Sequence, residues 1–306
     1  MVKGVFGSVF ASILFAVMFY YVTLMNPLTG SEIFGWRMLF TAPCLTALLL
    51  INREWPLARP TLRRIRRSPA LALGVVACAC LVAAQLWVFV WAPVNGRALE
   101  ASLGFFLMPL FLVLIGRVIF RERLSRFQFG ATICAMVGVT NELIRVGGIS
   151  WVTLLIAIGY PTYFVLRRKL GTDHQGGVWI EMHLIVPLAV VLILRGPGSI
   201  STYSDHPDLF LLIPGLGLIS AVALSGYYLA SQLLKFGLFG LLAYLEPVLL
   251  VFVALLLGEG IEPDQWLTYI LIWCAVGLLF VEGVYRILPR SSAVVSLSAR
   301  SRSRVP

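Results

Sequence analysis

The sequence predicts an all-α membrane protein with ten transmembrane helices, arranged as two inverted repeats of five helices each. Three observations lead to this prediction: the composition, ten apolar stretches of spanning length, and a likeness between the two halves of the chain. Of the 306 residues, 59% are apolar and 12% are charged, whereas a soluble domain carries about 25% charged and about 45–50% apolar residues. A globule of this size cannot hide so much apolar surface, which excludes a soluble enzyme. The same composition excludes a disordered chain.

The ten predicted spans each hold about 17–25 mainly apolar residues, the length that crosses the hydrocarbon core of a bilayer. In chain order they cover residues 4–25, 32–51, 70–92, 99–119, 127–144, 149–166, 177–194, 209–230, 238–257 and 265–287. The first stretch is too long for the apolar core of a cleaved signal peptide, and no small-residue cleavage site follows it. The Ser- and Arg-rich tail, residues 288–306, is predicted to be disordered and cytoplasmic.

The positions of lysine and arginine predict the orientation of these spans. Of the 24 basic residues, 20 fall on one side, Arg97, Arg145 and Arg195 fall on the other, and Arg37 lies within the second span. Basic residues concentrate on the cytoplasmic side of a membrane, so both termini are predicted to be cytoplasmic and the number of spans to be even. The net charge of +10 is therefore assigned to topology. A nucleic-acid partner would require a basic stripe on a polar face.

The sequence contains no pattern for a cofactor, a metal or a catalytic centre. The five cysteines lie inside apolar runs and are interpreted as small buried hydrophobic residues, and no Cys/His cluster has the spacing of a zinc site. A Ser/His/Asp arrangement, an H-E-x-x-H motif and a glycine-rich phosphate loop are also missing from the sequence. We expect no cofactor, no metal and no enzymatic activity.

The two halves of the chain resemble each other around the fourth and ninth spans. Segments 102–128 and 240–265 align with a single-residue gap, which matches Pro109 with Pro247, Glu122 with Glu259 and Gln128 with Gln265. Because five is an odd number, a second five-helix repeat enters the membrane inverted relative to the first. The predicted repeats are residues 1–145 and 146–287. Inverted repeats are typical of secondary transporters, with the substrate site near the midplane. Chance similarity between two proline-containing apolar helices is the alternative.

Four charged residues near the ends of spans are candidate substrate or coupling contacts, because charges inside a bilayer are costly and usually face a cavity or a partner. Arg37 and Glu100 lie towards the outer face, and Glu181 and Lys235 lie towards the cytoplasmic face. The repeat relates Arg37 to Glu181 and Glu100 to Lys235. One pair of opposite charge at each mouth would suit two alternating gates. The alternative is that these side chains extend to interfacial water.

Glu246 is the deepest carboxyl of the chain. It lies about nine residues into the ninth span, or about 13 Å at 1.5 Å per residue, close to the centre of a core ~30 Å thick. Pro247 follows it and frees a backbone carbonyl one turn earlier, because proline has no N–H. This carboxyl is a candidate proton or substrate contact; alternatively it stays protonated and bonds to a neighbouring helix. Tyr244 and Phe106, also near mid-depth, are candidate cavity-lining residues.

The segment WAPVNGRALEASLGFFLMPLFLVLIGRVIFRERL, residues 91–124, resembles the RarD permeases, which are EamA-type members of the drug/metabolite transporter superfamily. The matching features are Trp91-Ala92, Asn95, the Leu-Glu-Ala-Ser-Leu-Gly block at 99–104, Pro109 and Glu122-Arg123. Further matches are Glu32, Arg37, Glu181 and the segment 242–247, and the similarity covers about residues 4–287. The resemblance adds Trp91 and Asn95 to the candidate site residues.

The resemblance implies a ten-helix permease of the bacterial inner membrane. We therefore expect a secondary transporter that exports a small organic metabolite or drug-like compound by alternating access, without ATP. Its expected partners are a small-molecule substrate, the lipid bilayer and protons as a candidate coupling ion, with no nucleic acid. The alternative is a non-transporting membrane sensor or assembly component. The repeat favours transport, because a sensor needs no midplane site.

Overall fold

The computed structural model describes residues 2–95, 97–196, 205–256 and 263–287, and within these ranges the chain forms twelve α-helices. The first six are α1 (Val2–Thr23), α2 (Gly30–Ile51), α3 (Trp55–Arg67), α4 (Pro69–Val94), α5 (Ala98–Val118) and α6 (Arg126–Val146). The other six are α7 (Trp151–Leu170), α8 (Gln175–Arg195), α9 (Leu209–Leu233), α10 (Phe236–Ala243), α11 (Leu245–Leu256) and α12 (Trp266–Ile287). The predicted disordered tail and Glu259 lie outside the described residues.

Several helix ends follow directly from the local sequence. Thr29 and Glu32 form a capping box at the start of α2, in which each side chain accepts a hydrogen bond from the other residue's backbone N–H. Ser125 and Gln128 do the same for α6. These contacts use backbone donors that have no partner within the helix. Gly171 ends α7 with φ 63°, a left-handed conformation that glycine adopts without steric cost.

In the part of the chain that the structure describes, six helices are long and apolar enough to cross a membrane: α1, α2, α4, α6, α8 and α9. Shorter apolar helices cover residues 103–118, 236–249 and 266–282. The chain is therefore a multi-pass membrane protein. The count of ten spans and the division into repeats at residue 145 remain predictions.

Two parts of the chain differ from the predicted spans. Helix α3 occupies part of the arginine-rich segment that the sequence assigns to a connection between the second and third spans. The predicted ninth span is two helices, α10 and α11, which meet at Tyr244. Pro247 accounts for this break, because it has no N–H to bond the Ala243 carbonyl and its ring crowds that carbonyl.

The helices pack in pairs that correspond between the two halves of the chain. Helix α1 packs on α9 and α4 packs on α7, while α2 packs on α8, α5 on α10 and α6 on α12. This correspondence appears when α3 is left out, α10 and α11 are counted as one span, and the spans are numbered in chain order. Replacing both members of a packing pair by the spans five places away then gives either the same pair or another of these pairs. Helices α1, α2, α4, α5, α7, α9 and α11 together surround the centre of the bundle, where the candidate site lies.

Candidate functional site

A small cavity lies at the centre of the bundle, with a volume of about 20 Å³, which is room for roughly one water molecule. Seven helices contribute to its wall: α1, α2, α4, α5, α7, α9 and α11. The lining residues are Phe15, Met18, Arg37, Leu86, Phe89, Phe105, Met108, Tyr160, Leu224, Tyr227, Tyr228 and Glu246. Aromatic and aliphatic side chains thus form the wall, and Arg37 and Glu246 are the two charged residues among those that line it.

Arg37 presents unpartnered hydrogen-bond donors to this cavity. Its side chain on α2 is 1% exposed, and its Nε donates to Ser220 Oγ of α9 at 2.9 Å. The two terminal nitrogens, Nη1 and Nη2, are buried without a hydrogen-bond partner among the described residues. The ring of Phe89 lies 5.9 Å from the guanidinium carbon. Since a buried cation normally binds an anion or several carbonyl groups, the free edge of Arg37 can take an acceptor from a ligand.

Glu246 supplies the second charged side chain. It lies in the first turn of α11, directly after the helix break at Tyr244, and is 9% exposed. Within the described part of the chain, its carboxylate makes no hydrogen bond and no ion pair within 4 Å, although Arg37 lines the same cavity. The site therefore places a donor and an acceptor around one space without joining them, so both remain able to contact a ligand.

A second buried charge cluster lies beside the cavity and includes Glu181 of α8. Arg167 Nε of α7 is 3.3 Å from Glu181 Oε1, and the Tyr163 hydroxyl donates to Glu181 Oε2 at 2.6 Å. Arg167 Nη2 also donates to the carbonyls of Thr172 and His174 in the α7–α8 connection. Glu181 is thus a paired structural carboxylate. The structure does not bring Glu181 and Lys235 together, because Lys235 is exposed at the start of α10 and Glu181 is bound to α7.

The structure also does not bring Arg37 and Glu100 together as the predicted outer pair. Glu100 forms an ion pair with Arg97 at 3.3 Å, three residues earlier in the chain, and both side chains are partly exposed. Depth in the membrane, which the sequence gives, does not fix which way a residue faces around its helix axis. Glu100 therefore forms an ion pair with its neighbour Arg97, while Arg37 faces the central cavity.

Four other candidates lie away from the cavity. The Tyr244 hydroxyl donates to the Phe106 carbonyl at 3.0 Å, and both side chains are buried in a separate core cluster between α5, α6, α10 and α12. Trp91 stacks on Trp87 near the end of α4, with ring centroids 4.9 Å apart. Asn95 is exposed, and its Nδ2 donates to the Trp91 carbonyl. Tyr244 and Phe106 therefore do not line the central cavity in this structure.

The end of the bundle that carries α3 and the connections α5–α6, α7–α8 and α9–α10 is termed the basic end here, after its many arginines. At this end Glu122 accepts hydrogen bonds from the backbone N–H groups of Phe236 and Gly237, both at 2.9 Å. Phe120 stacks on Phe236 with centroids 4.7 Å apart, and the guanidinium of Arg168 lies 4.2 Å from the Phe236 ring. These contacts join the α5–α6 connection to α10 and close the basic end.

Sequence reasoning missed two contributors to the central region, Ser220 and Arg167. Ser220 lies in an apolar helix, where small residues usually indicate helix packing. Arg167 belongs to an Arg-Arg-Lys triplet that is typical of a cytoplasmic connection. The available signal was the spacing of Tyr163 and Arg167, which are four residues apart and so share a helix face. Tyr227 and Tyr228 were not distinguishable from interfacial aromatic residues by sequence.

Known proteins are similar to this chain over most of its length. The model of the EamA-like transporter family matches residues 2–141. The chain is similar to the chloramphenicol-sensitive protein RarD of Pseudomonas aeruginosa PAO1, with 42% identity over 90% of this chain and 92% of that protein. An uncharacterized transporter of Haemophilus influenzae is 37% identical over 94% of this chain and 96% of its own length. Protein RarD of Escherichia coli K12 is 27% identical over 92% and 95%.

A crystal structure of a protein 16% identical to this chain has a similar fold. It superposes with a TM-score of 0.67 and covers 94% of this chain and 99% of its own. At that identity the likeness concerns the fold alone.

Proposed function

The chain belongs to the EamA-like transporter family as a RarD-type member, and on this premise we propose that it exports a small organic metabolite or drug-like compound by alternating access. It is a membrane transporter with a small-molecule substrate. One observation carries the proposal: beside a cavity that Glu246 also lines, Arg37 has two nitrogens without a hydrogen-bond partner among the described residues. An uncompensated charge inside a membrane protein is costly and typically indicates a substrate or ion pathway.

The size of the cavity supports a mechanism in which the helices separate. Sites for organic ligands commonly hold about 300–1,000 Å³, whereas the central cavity holds about 20 Å³. A ligand that contacts Arg37 and Glu246 must therefore open the bundle on one side. The contacts of Glu122 and Phe120 with α10 close the basic end, and their release is the step that we propose for access from the cytoplasm.

The helix arrangement also supports transport. The packing pairs correspond between the halves of the chain, as expected of inverted repeats, and α10 and α11 form a broken helix whose junction precedes Glu246. Discontinuous helices beside a central site are typical of secondary transporters. The free edge of Arg37 favours a substrate with a carboxylate or another oxygen acceptor, because a guanidinium can bind such a group through two nitrogens.

We further propose that the protein lies in the inner membrane with its basic end and both termini in the cytoplasm. The asymmetry of 20 basic residues against three supports this orientation. Reporter fusions at the C-terminus test it. A cytoplasmic reporter should be active and alkaline phosphatase inactive; phosphatase activity there would reverse the orientation.

Flux measurements in proteoliposomes test the function. Labelled amino acids and drugs would be screened with and without a pH gradient, and each substrate found would be measured for two variants. Arg37→Leu should abolish flux, because it removes the free donors of the cavity. Glu100→Ala is the matched control and should transport like the parent, because Glu100 contacts Arg97 away from the cavity. Parental flux in a folded Arg37→Leu variant would contradict the proposed site.

A further inference from the structure

Helix α3 is fixed to the transmembrane bundle by one face. Ala58 is fully buried and Thr61 is 3% exposed, and Thr61 Oγ1 lies 3.1 Å from His174 Nε2. Gly176 of α8 is so close to α3 that a Cβ there would lie 2.7 Å from the Ala58 nitrogen. Arg64 donates to the carbonyls of Leu170 and Gly171 at the end of α7. The helix is thereby held in one orientation at the basic end.

The opposite face of α3 presents four exposed arginines at helical spacing: Arg59, Arg63, Arg66 and Arg67. Helix α3 contains no acidic residue, and none of these four guanidinium groups forms an ion pair within the described part of the chain. A topology signal requires only that basic residues be present in the connection. Here they are aligned on a rigid surface, with their charges uncompensated.

An apolar groove of about 640 Å³ lies between α1, α2, α8 and α9, next to α3. Its walls include Phe6, Phe10, Leu48 and Leu229. Beside the groove, α1 and α9 meet closely at two glycines that line it, Gly7 and Gly226. A Cβ on Gly7 would lie 3.0 Å from the Gly226 carbonyl oxygen. Because neither glycine has a side chain, this part of the groove stays open. All four helices of the groove are apolar enough to span the membrane, which makes hydrocarbon the medium that the groove meets.

The groove and the arginine face are continuous. Trp179 lines the groove. The Trp55 ring packs edge-on against the Trp179 ring, with centroids 5.2 Å apart, and the guanidinium carbon of Arg59 lies 5.9 Å from the Trp55 ring centroid. Lys3 stands at the rim of the groove. Glu54 is the acidic group among the residues that line this rim, and partial burial raises the pKa of its carboxyl.

We propose that this surface binds an anionic phospholipid, with an acyl chain in the groove and the headgroup phosphate at Lys3 and the arginines of α3. The bilayer supplies this ligand at the required depth, and clusters of arginine next to a membrane span attract anionic lipid. Indole rings such as Trp55 and Trp179 favour the level of the headgroups. A lipid of zwitterionic headgroup fits the groove equally but leaves the arginine charge uncompensated.

Native mass spectrometry of the full chain in detergent tests the headgroup, with dioleoyl-phosphatidylglycerol and dioleoyl-phosphatidylcholine as probes. The parent should retain the anionic lipid in preference. The variant with Arg59→Gln, Arg63→Gln and Arg66→Gln should lower that preference by about fivefold or more, the factor that one arginine contributes at an anionic surface. The matched control carries Arg121→Gln, Arg123→Gln and Arg126→Gln, which remove the same charge from the α5–α6 connection and the first residue of α6 and should keep the preference.

The groove is tested separately by filling it. Leu229→Trp should displace one bound phosphatidylglycerol, whereas Leu218→Trp, on an exposed part of α9 outside the groove, should not. Equal retention of both lipids by the parent, or an unchanged preference in the α3 variant, would overturn the proposal. Retention of the lipid by Leu229→Trp would overturn the placement of the acyl chain. Because lipid is counted directly, these results do not depend on transport.

Discussion

Arg167 and Glu181 form an ion pair, with Nε and Oε1 3.3 Å apart, in which both side chains are almost completely buried. The Tyr228 ring, whose centroid lies 4.8 Å from the Arg167 guanidinium carbon, also lines the central cavity. On its other side Arg167 holds the Thr172 and His174 carbonyls of the α7–α8 connection. The ion pair therefore connects the wall of the cavity to the basic end of the bundle.

Glu181→Gln should destabilise the protein strongly. Glutamine can still accept the hydrogen bond from Tyr163, but it leaves the Arg167 charge buried without its counter-ion, and such a loss typically costs roughly 3–5 kcal/mol. Thermal unfolding in detergent measures the effect. The control is Glu100→Gln, which breaks an ion pair whose side chains are 40% and 29% exposed and should cost at most about 1 kcal/mol. Equal shifts of the melting temperature would contradict this account.

The contrast between these two ion pairs shows how far the sequence alone can lead. Hydropathy placed Arg37 and Glu246 within predicted spans, and the cost of a buried charge indicated that each faces a cavity or a partner. The partner of each charge depends on rotation about the helix axis, which depth does not determine. Glu100 contacts Arg97, an (i, i+3) neighbour that spacing could have suggested. Arg167 contacts Glu181 across two helices.

Helix α3 was missed for a different reason. Its buried positions 58 and 61, its half-buried positions 62 and 65 and its exposed arginines at 59, 63, 66 and 67 follow a helical period. Proline at positions 56 and 60 argues against a helix in the interior of such a segment. Pro56, however, lies in the first turn, where its missing N–H has no helical acceptor. Pro60 lies inside α3. The proline rule alone therefore argues against a helix that the spacing of the exposed arginines supports.

Cross-linking should show whether the basic end opens during transport. With the five native cysteines replaced, Phe120→Cys and Phe236→Cys would place two thiols where the stacked rings now lie 4.7 Å apart. A short reducible cross-linker should stop flux if the α5–α6 connection must leave α10. Dithiothreitol should restore it. Each single-cysteine variant treated in the same way is the control. Full flux in the cross-linked protein would mean that this end stays closed.

The stability of the α7–α8 connection should depend on pH through His174. Its Nδ1 accepts a hydrogen bond from the Gly177 N–H at the start of α8, so Nε2 is assigned as the donor to Thr61. Burial lowers the pKa of His174, and the positive charges of Arg167 and Arg64 lower it further, against an opposing effect of the Asp173 carboxylate. The folded state thus favours the neutral ring. The neutral His174 ring contributes its full stabilisation above the pKa that the histidine has in the unfolded state, ~6.5. This stabilisation is lost as the pH falls through the lower pKa of His174 in the folded state.

His174→Asn provides the test, because asparagine can still cap α8 but does not titrate. The melting temperature of the parent should fall between pH 7.5 and pH 5.0 by more than that of the variant. Thr61→Val, which removes the hydroxyl partner and keeps the histidine, should retain a pH-dependent difference. If the parent and His174→Asn lose stability in parallel, another group causes the acid sensitivity.

Glu246 should couple transport to protons. Its carboxylate lines the cavity with Arg37 and has no hydrogen-bond partner among the described residues, so a proton or a ligand can reach it. Glu246→Gln keeps the size of the side chain and its capacity for hydrogen bonds but cannot exchange a proton. We expect this variant to fold, to insert and to bind substrate. The increase of flux that a pH gradient produces in the parent should disappear, because no group in the cavity then gains and loses the proton.

The competing view treats Glu246 as a packing residue that only hydrogen-bonds next to the break between α10 and α11. It predicts that Glu246→Gln transports like the parent, while Glu246→Leu is unstable because the polar groups at the break lose a partner. Flux measured against a series of imposed pH gradients, together with the melting temperatures of both variants, separates the two views. Undiminished pH coupling in Glu246→Gln would exclude Glu246 as the proton carrier, since an amide cannot replace a titrating carboxyl.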